Sequence, residues 1–200
     1  MKKRLRILAA GDIHGSNFLA EQLAKKAEKY KVDLVILTGD LSSPFKKEAI
    51  ITPFKKRNLE TLFVPGNWDT ELDVNFLKKE YGLKNLEGYY IRRGEFDIIG
   101  IGNKDFKLKH TKEDFENLKK LFEKIKKRKT KKIFVSHLHP KDTLAEFSGF
   151  IGDKVLKEII ESMKPHVAIS SHIHEAEGLE GKIGKTKIFH VGPRGKIIDL

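Results

Sequence analysis

"LRILAAGDIHG", residues 5–15, decides how the chain is read. Residues 5–10 are apolar except for Arg6, and Gly11 closes them after a length that suits a buried strand better than a helix. The next segment, "FLAEQLAKKAEKY" at 18–30, puts Phe18, Leu19, Leu23, Ala27 and Tyr30 on one face of a predicted helix. Residues 33–38 repeat the strand and end in Gly39-Asp40. Residues 48–56 read as a weak helix broken by Pro53. A third strand at 61–64 runs into "PGNWD", residues 65–69, and a further helix to about residue 80. Strand, loop and helix in three rounds imply right-handed crossovers and a largely parallel sheet.

The pattern then changes. "LEGYYIRRGEFDIIGIGN", residues 86–103, alternates as a hairpin does, with Arg93-Gly94 at its turn. A long amphipathic helix is predicted over 111–128, with Phe115, Leu118, Leu121, Phe122 and Ile125 on one side. A strand at 132–135, a helix at 153–163 and a strand at 166–170 follow, and from Gly178 onward the chain reads as short antiparallel strands. These later elements imply a second sheet of mixed or antiparallel pairing. No linker, repeat or low-complexity tract interrupts residues 1–200, so a single α/β domain is expected.

Composition narrows the chemistry. There is no cysteine, which removes disulfides, thiolate zinc sites and cysteine nucleophiles together. Abundant Lys and Glu point to a heat-adapted source. The net charge of +12 favours anionic partners, phosphate esters or nucleic acid. The densest basic run, 126–132, has no interleaved aromatic residue and is read as a solvated helix end rather than a nucleic-acid patch. The apolar stretch at 7–10 is too short for a secretory signal, and no segment reaches the roughly 18 apolar residues of a membrane span. A soluble, cytoplasmic protein is expected.

In parallel sheets ligands gather beyond the carboxyl ends of the strands. Those ends carry Asp12 and His14, then Asp40, then Asn67-Trp68-Asp69, then His137 and His139, then His172 and His174. Residues two apart in extended chain point the same way, so Asp12 with His14, and His172 with His174, can each share a ligand. Carboxylate, imidazole and amide oxygen without sulfur suit Mn, Fe, Ni or Zn.

These motifs, in this order, resemble the calcineurin-like metallophosphoesterase family, whose pattern is D-x-H, GD, GNH[DE], a lone His and GHxH. The chain looks closest to the small, lid-less phosphoesterases of archaea and bacteria. The resemblance implies two packed mixed β-sheets flanked by helices, a four-layer αββα sandwich. It also implies a dinuclear site, with manganese the first expectation, that hydrolyses phosphate esters by metal-activated hydroxide attack on phosphorus. Carried across, Asp12, His14 and His174 hold one metal, Asn67, His137 and His172 the other, and Asp40 bridges them. Ser171 replaces the glycine of GHxH. His139 is the alternative to His137 as ligand, and His137 is preferred.

Trp68 is the serious departure. It stands where the family has the histidine that contacts phosphate and protonates the leaving oxygen, and an indole N–H cannot deliver a proton. Three consequences follow. The enzyme cleaves esters whose leaving group needs no proton, phosphodiesters first; or His139 or His190 substitutes as acid; or the chain is a binding scaffold on the same fold. The first is the expectation, because all seven ligand positions are retained. Without its histidine, Asp69 reads as the N-terminal cap of the following helix. Arg194 reads as an exposed surface arginine rather than a phosphate contact.

Overall fold

The computed structural model describes residues 4–42 and 50–200. Strand β1 (Arg6–Ala10) shows how the layers arise. Successive side chains point to opposite faces: Leu8 and Ala10 pack with the first helices, while Ile7 and Ala9 enter a different apolar cluster. β2 (Leu34–Leu37) and β3 (Thr61–Phe63) sort their residues in the same way. Strands covered on both faces must be apolar throughout, which is why they read as runs rather than alternations.

β1, β2, β3 and β4 (Lys84–Asn85) are parallel, with α1 (Asn17–Lys29), α2 (Thr52–Lys56) and α3 (Glu71–Tyr81) between them. β5 (Tyr90–Arg93) turns antiparallel into β6 (Phe96–Ile101), as the hairpin reading expects. After α4 (Lys112–Glu123) comes β7 (Lys131–Ser136), and after α5 (Lys154–Met163) comes β8 (Val167–Ser170). β9 (Glu180–Ile183) pairs antiparallel with β10 (Thr186–His190), β10 lies parallel to β8, and β11 (Lys196–Asp199) returns antiparallel to β1. Two mixed sheets result, in the orders β11-β1-β2-β3-β4 and β5-β6-β7-β8-β10-β9.

One cluster, with Ile36, Leu62, Ile98, Val135 and Ile169, fills the space between the sheets. A second packs the first sheet on α1 to α3, and a third packs the other sheet on α4 and α5. The expected four layers are present. Because the strands of each sheet are mostly parallel, their carboxyl ends lie together at one edge of the sandwich.

Local expectations change in four places. The buried stripe of α1 is Ala20, Leu23, Ala24 and Ala27, and Phe18 stands 71% exposed; alanines let the helix approach the sheet. Pro53 opens α2 rather than breaking it, since the first turn needs no N–H from that residue; Glu48 and Ala49 lie outside the described residues. β4 and two short 3₁₀ turns, at Leu144–Ser148 and His174–Ala176, carry no periodic signal.

The fourth change concerns the basic run. α4 ends at Glu123, and the run does not lie wholly in solvent. Lys132 is buried; its Nζ donates to the carbonyls of Arg128 and Thr130 and lies 3.5 Å from the fully buried carboxylate of Asp97. Arg128 stacks over the Tyr90 ring and reaches Asp97 at 3.4 Å. Burial holds the Lys132 ammonium below its ordinary pKa despite that partner. Part of the basic run thus neutralises a carboxylate inside the fold. Asp97→Ala should cost about 3 kcal/mol in urea unfolding, because it strands the buried Lys132 ammonium. Lys127→Ala, on the exposed side, should change stability by less than about 0.5 kcal/mol.

Candidate metal centre

The loops beyond the strand ends continue the sheet pairing for a few residues. Asp12 N–H donates to the Gly39 carbonyl, His14 N–H to that of Asp40, and Ser171 N–H to that of His137. Close approach needs missing side chains. A Cβ on Gly66 would lie 2.2 Å from Asp40 Oδ1, and one on Gly39 2.5 Å from the Gly66 nitrogen. Asp12, His14, Asp40 and His172 all hold left-handed backbone, with φ of 56°, 46°, 51° and 80°. Such conformations are unfavourable for residues with a Cβ and gather at functional sites.

All seven residues predicted as ligands come together. Asp12, His14 and His174 form one group able to hold a cation, and Asp40, His137 and His172 form another. His14 Nε2 lies 3.3 Å from His174 Nε2, and His172 Nδ1 lies 3.2 Å from His137 Nε2. Asn67 Oδ1 approaches His137 Nε2 at 3.0 Å, which puts Asn67 with the second group. Asp40 Oδ2 stands 3.4 Å from His137 Nε2 and 3.9 Å from His14 Nε2, between the two groups. His14 and His174 are the more exposed members, so the site opens to solvent on their side.

The hydrogen bonds fix what His137 can offer. Its Nδ1 faces the Thr38 carbonyl at 2.8 Å, an oxygen that can only accept, so Nδ1 carries a proton. Nε2 of the neutral ring is then bare, and it faces the oxygens of Asn67 and Asp40. Acceptor against acceptor is unfavourable unless a proton or a cation lies between them. With a proton there, burial opposes the charge, but the hydrogen bond and charge of Asp40 and the charge of Asp12 outweigh it and push the ring up to about 9. Burial pushes the Asp12 carboxyl up to about 6, and its Oδ1 accepts no hydrogen bond from the described residues. Burial, then the neighbouring His137, pushes His172 down to about 4. Converging acceptors, one of them orphaned and buried, fit a divalent ion pair of the kind held by oxygen and imidazole.

Ser171, a departure in sequence, has a supporting part. Its hydroxyl donates to the Thr38 carbonyl and lies 3.1 Å from His137 Nδ1, bracing the ring from behind. A serine in place of a glycine signals only a small residue, and the bond needs both sheets.

Trp68 is 44% exposed at the edge of the site, its ring edge-on to His14 at 6.3 Å. Its backbone N–H donates to Asp40 Oδ1, so the position supports the ligand set through its main chain. His139 and His190 are buried beside the site. Nε2 of each donates to a carbonyl, of Phe150 and Ile173 respectively, and the rings pack edge-to-face. Burial lowers both pKa values, that of His190 to about 4. Both shifts favour the neutral ring, and the Nε2–H of each is already engaged by a carbonyl. Arg194 is exposed and pairs with Glu177.

The expected cap is corrected. Thr70 caps α3, in a reciprocal box with Asp73. Asp69 is fully buried and turns the other way: its carboxylate accepts from the backbone N–H groups of Gly66, Leu41 and Ser42. It ties the loop after β3 to the loop after β2, with burial raising its pKa to about 6.

A family model described as calcineurin-like phosphoesterase matches residues 5–176. Among solved structures, TT1561 of Thermus thermophilus superposes with a TM-score of 0.76 at 19% identity, covering 95% of this chain and 90% of that one. A dimetal phosphatase from Danio rerio gives 0.69 at 11% identity, covering 94% and 88%. GAP50, the anchor in the inner membrane complex of Plasmodium, gives 0.62 at 14% identity, covering 96% and 72%. At these identities the superpositions show a shared fold. No protein of curated function matches the chain in sequence.

The corrected cap has a direct test. Asp69→Ala leaves three backbone donors unpaired, those of Gly66 and Leu41 buried, and should cost roughly 2–4 kcal/mol, together with metal affinity measured by calorimetry. Thr70→Ala removes an ordinary cap and should cost about 1 kcal/mol without weakening metal binding.

Proposed function

This chain belongs to the calcineurin-like phosphoesterase family, and from that premise we propose that it hydrolyses phosphate esters, phosphodiesters ahead of monoesters, with the help of two divalent ions. Asp12, His14 and His174 would hold one ion, Asn67, His137 and His172 the other, and Asp40 would face both. The observation that carries this reading is the position of Asp40 Oδ2 between His14 Nε2 and His137 Nε2. Two neighbouring cations need a shared anion to offset their repulsion. Manganese is the first choice for this donor set, with iron, nickel or zinc also suited to it.

When bound, such a pair would supply positive charge to the phosphoryl oxygens and would make a nearby water more acidic. The protein's own residues do the rest. The Thr38 carbonyl and Ser171 hold His137 with Nε2 forward. Asp69 and the Trp68 N–H hold the loops that carry Asn67 and Asp40. No side chain at position 68 donates a proton to the departing oxygen. Loss of a general acid typically costs about 10²–10⁴ in rate. Esters with stable leaving groups escape that loss, which favours activated diesters over alkyl monoesters. Trp68 alone favours the scaffold reading, and that reading leaves four left-handed ligand residues without a purpose.

Asp40→Ala should release both metals together, read as moles of metal per chain; retention of two would sink the assignment. Wild-type kcat/KM should fall steeply as leaving groups become more basic. Trp68→His should flatten that slope, raising activity most on the poorest leaving groups. Parallel slopes would remove position 68 from proton transfer, and no hydrolysis by either metal-loaded protein would leave the scaffold.

A further inference from the structure

The turn after β6 is held in an unfavourable shape that the ligand residues do not use. Asp105 and Phe106 both have left-handed backbone, φ 59° and 60°, which a bulky side chain adopts only when its surroundings compel it. Here the compulsion is visible. Asn103 N–H donates to the Pro65 carbonyl, Asp105 N–H to that of Asp69 and Phe106 N–H to that of Asn67. Asp105 Oδ1 accepts from Glu71 N–H, and the Asn103 amide closes the turn on the Lys107 carbonyl at 2.7 Å. The turn is clamped to the very loop that carries Asn67 and Trp68.

What the strain achieves is not burial, because Phe106 remains 62% exposed. It sets the Phe106 ring edge-to-face with Trp68, centroids 5.8 Å apart at 71°. Trp68 in turn meets His14 edge-on at 6.3 Å. Phe106, Trp68 and His14 therefore form a row leading from solvent to the ligand set. Glycine at 106 would relieve the backbone, and a polar residue would suit the exposure better; the phenyl ring satisfies neither demand.

We infer that Trp68 and Phe106 form a recognition shelf for a planar aromatic group carried by the phosphate ester. The inference rests on the phosphoesterase reading above and names the substrate class of that site. Exposed aromatic side chains bind flat rings by stacking and edge contacts. The chemistry of the leaving step agrees: an aryloxide takes the electron pair of the breaking P–O bond without needing a proton, and position 68 has none to give. The residue that forgoes acid catalysis is the same one that meets the ring.

The test is binding, and it uses the metal-loaded protein. Phenylphosphonate and methylphosphonate are titrated by calorimetry, while the emission of Trp68, the only tryptophan, reports occupancy beside it. Phenylphosphonate should bind roughly tenfold tighter and perturb that emission. Phe106→Gly removes the ring and the backbone strain together, so its thermal midpoint should hold or rise while the phenyl-to-methyl ratio drops below about threefold. A ratio near one in the wild type, or an unchanged ratio in Phe106→Gly, overturns the shelf and leaves the phosphoesterase reading standing. A clear fall in the midpoint of Phe106→Gly would overturn it too, by assigning the ring to packing. Binding of neither phosphonate overturns both readings.

Discussion

The hydrogen bond from His137 Nδ1 to the Thr38 carbonyl is the contact on which the site depends. It joins the carboxyl end of β7 to that of β2, and so the second sheet to the first. It also settles the tautomer of His137, leaving Nε2 bare and aimed at Asn67 and Asp40. Each group of candidate ligands draws on both sheets, so the bond, with that of Ser171 to the same carbonyl, helps to fix the distances within each group. With it, the apolar layer between the sheets becomes the means by which ligands from both are brought to one edge.

The site is stored at a local cost. Four of its residues hold left-handed backbone, each worth on the order of 1–3 kcal/mol of strain. Burial lifts the Asp12 carboxyl to about 6, and Asp12 Oδ1 accepts no hydrogen bond from the described residues. Three apolar clusters offset this, and none of their residues is among the ligands. Strain gathered where the donors converge, with ordinary packing elsewhere, is what a fold looks like when its cores support a binding site.

Trp68 and Asp69 are neighbours in sequence with opposite fates. Asp69 is buried, with its carboxylate turned to three backbone donors of the two loops rather than toward the side chain at position 68. Trp68 lies at the rim, its main chain bound to Asp40 and its indole turned to Phe106. The main chain of the loop thus serves the candidate ligand set while its two side chains face opposite ways. That separation lets the candidate ligands converge whatever side chain stands at position 68.

Strand ends, their order and the ligand types are readable from residues alone, because each depends on local pattern. An apolar run closed by glycine is a strand wherever it lies, and Asp, Asn and His at its end advertise what they can bind. The helix starting after Asp69 is equally plain. Which residue caps it is not, because the donors that capture Asp69 come from residues 41 and 42 as well as from Gly66. Lys132 reads as a surface charge until the fold places the Asp97 carboxylate beside it. Phe106 gives no signal, since its conformation is imposed by carbonyls some forty residues earlier in the chain. Sequence by itself determined the elements and the donor chemistry, through short-range geometry; tertiary structure decided who partners whom, because hydrogen bonds and charges act across space without regard to chain order.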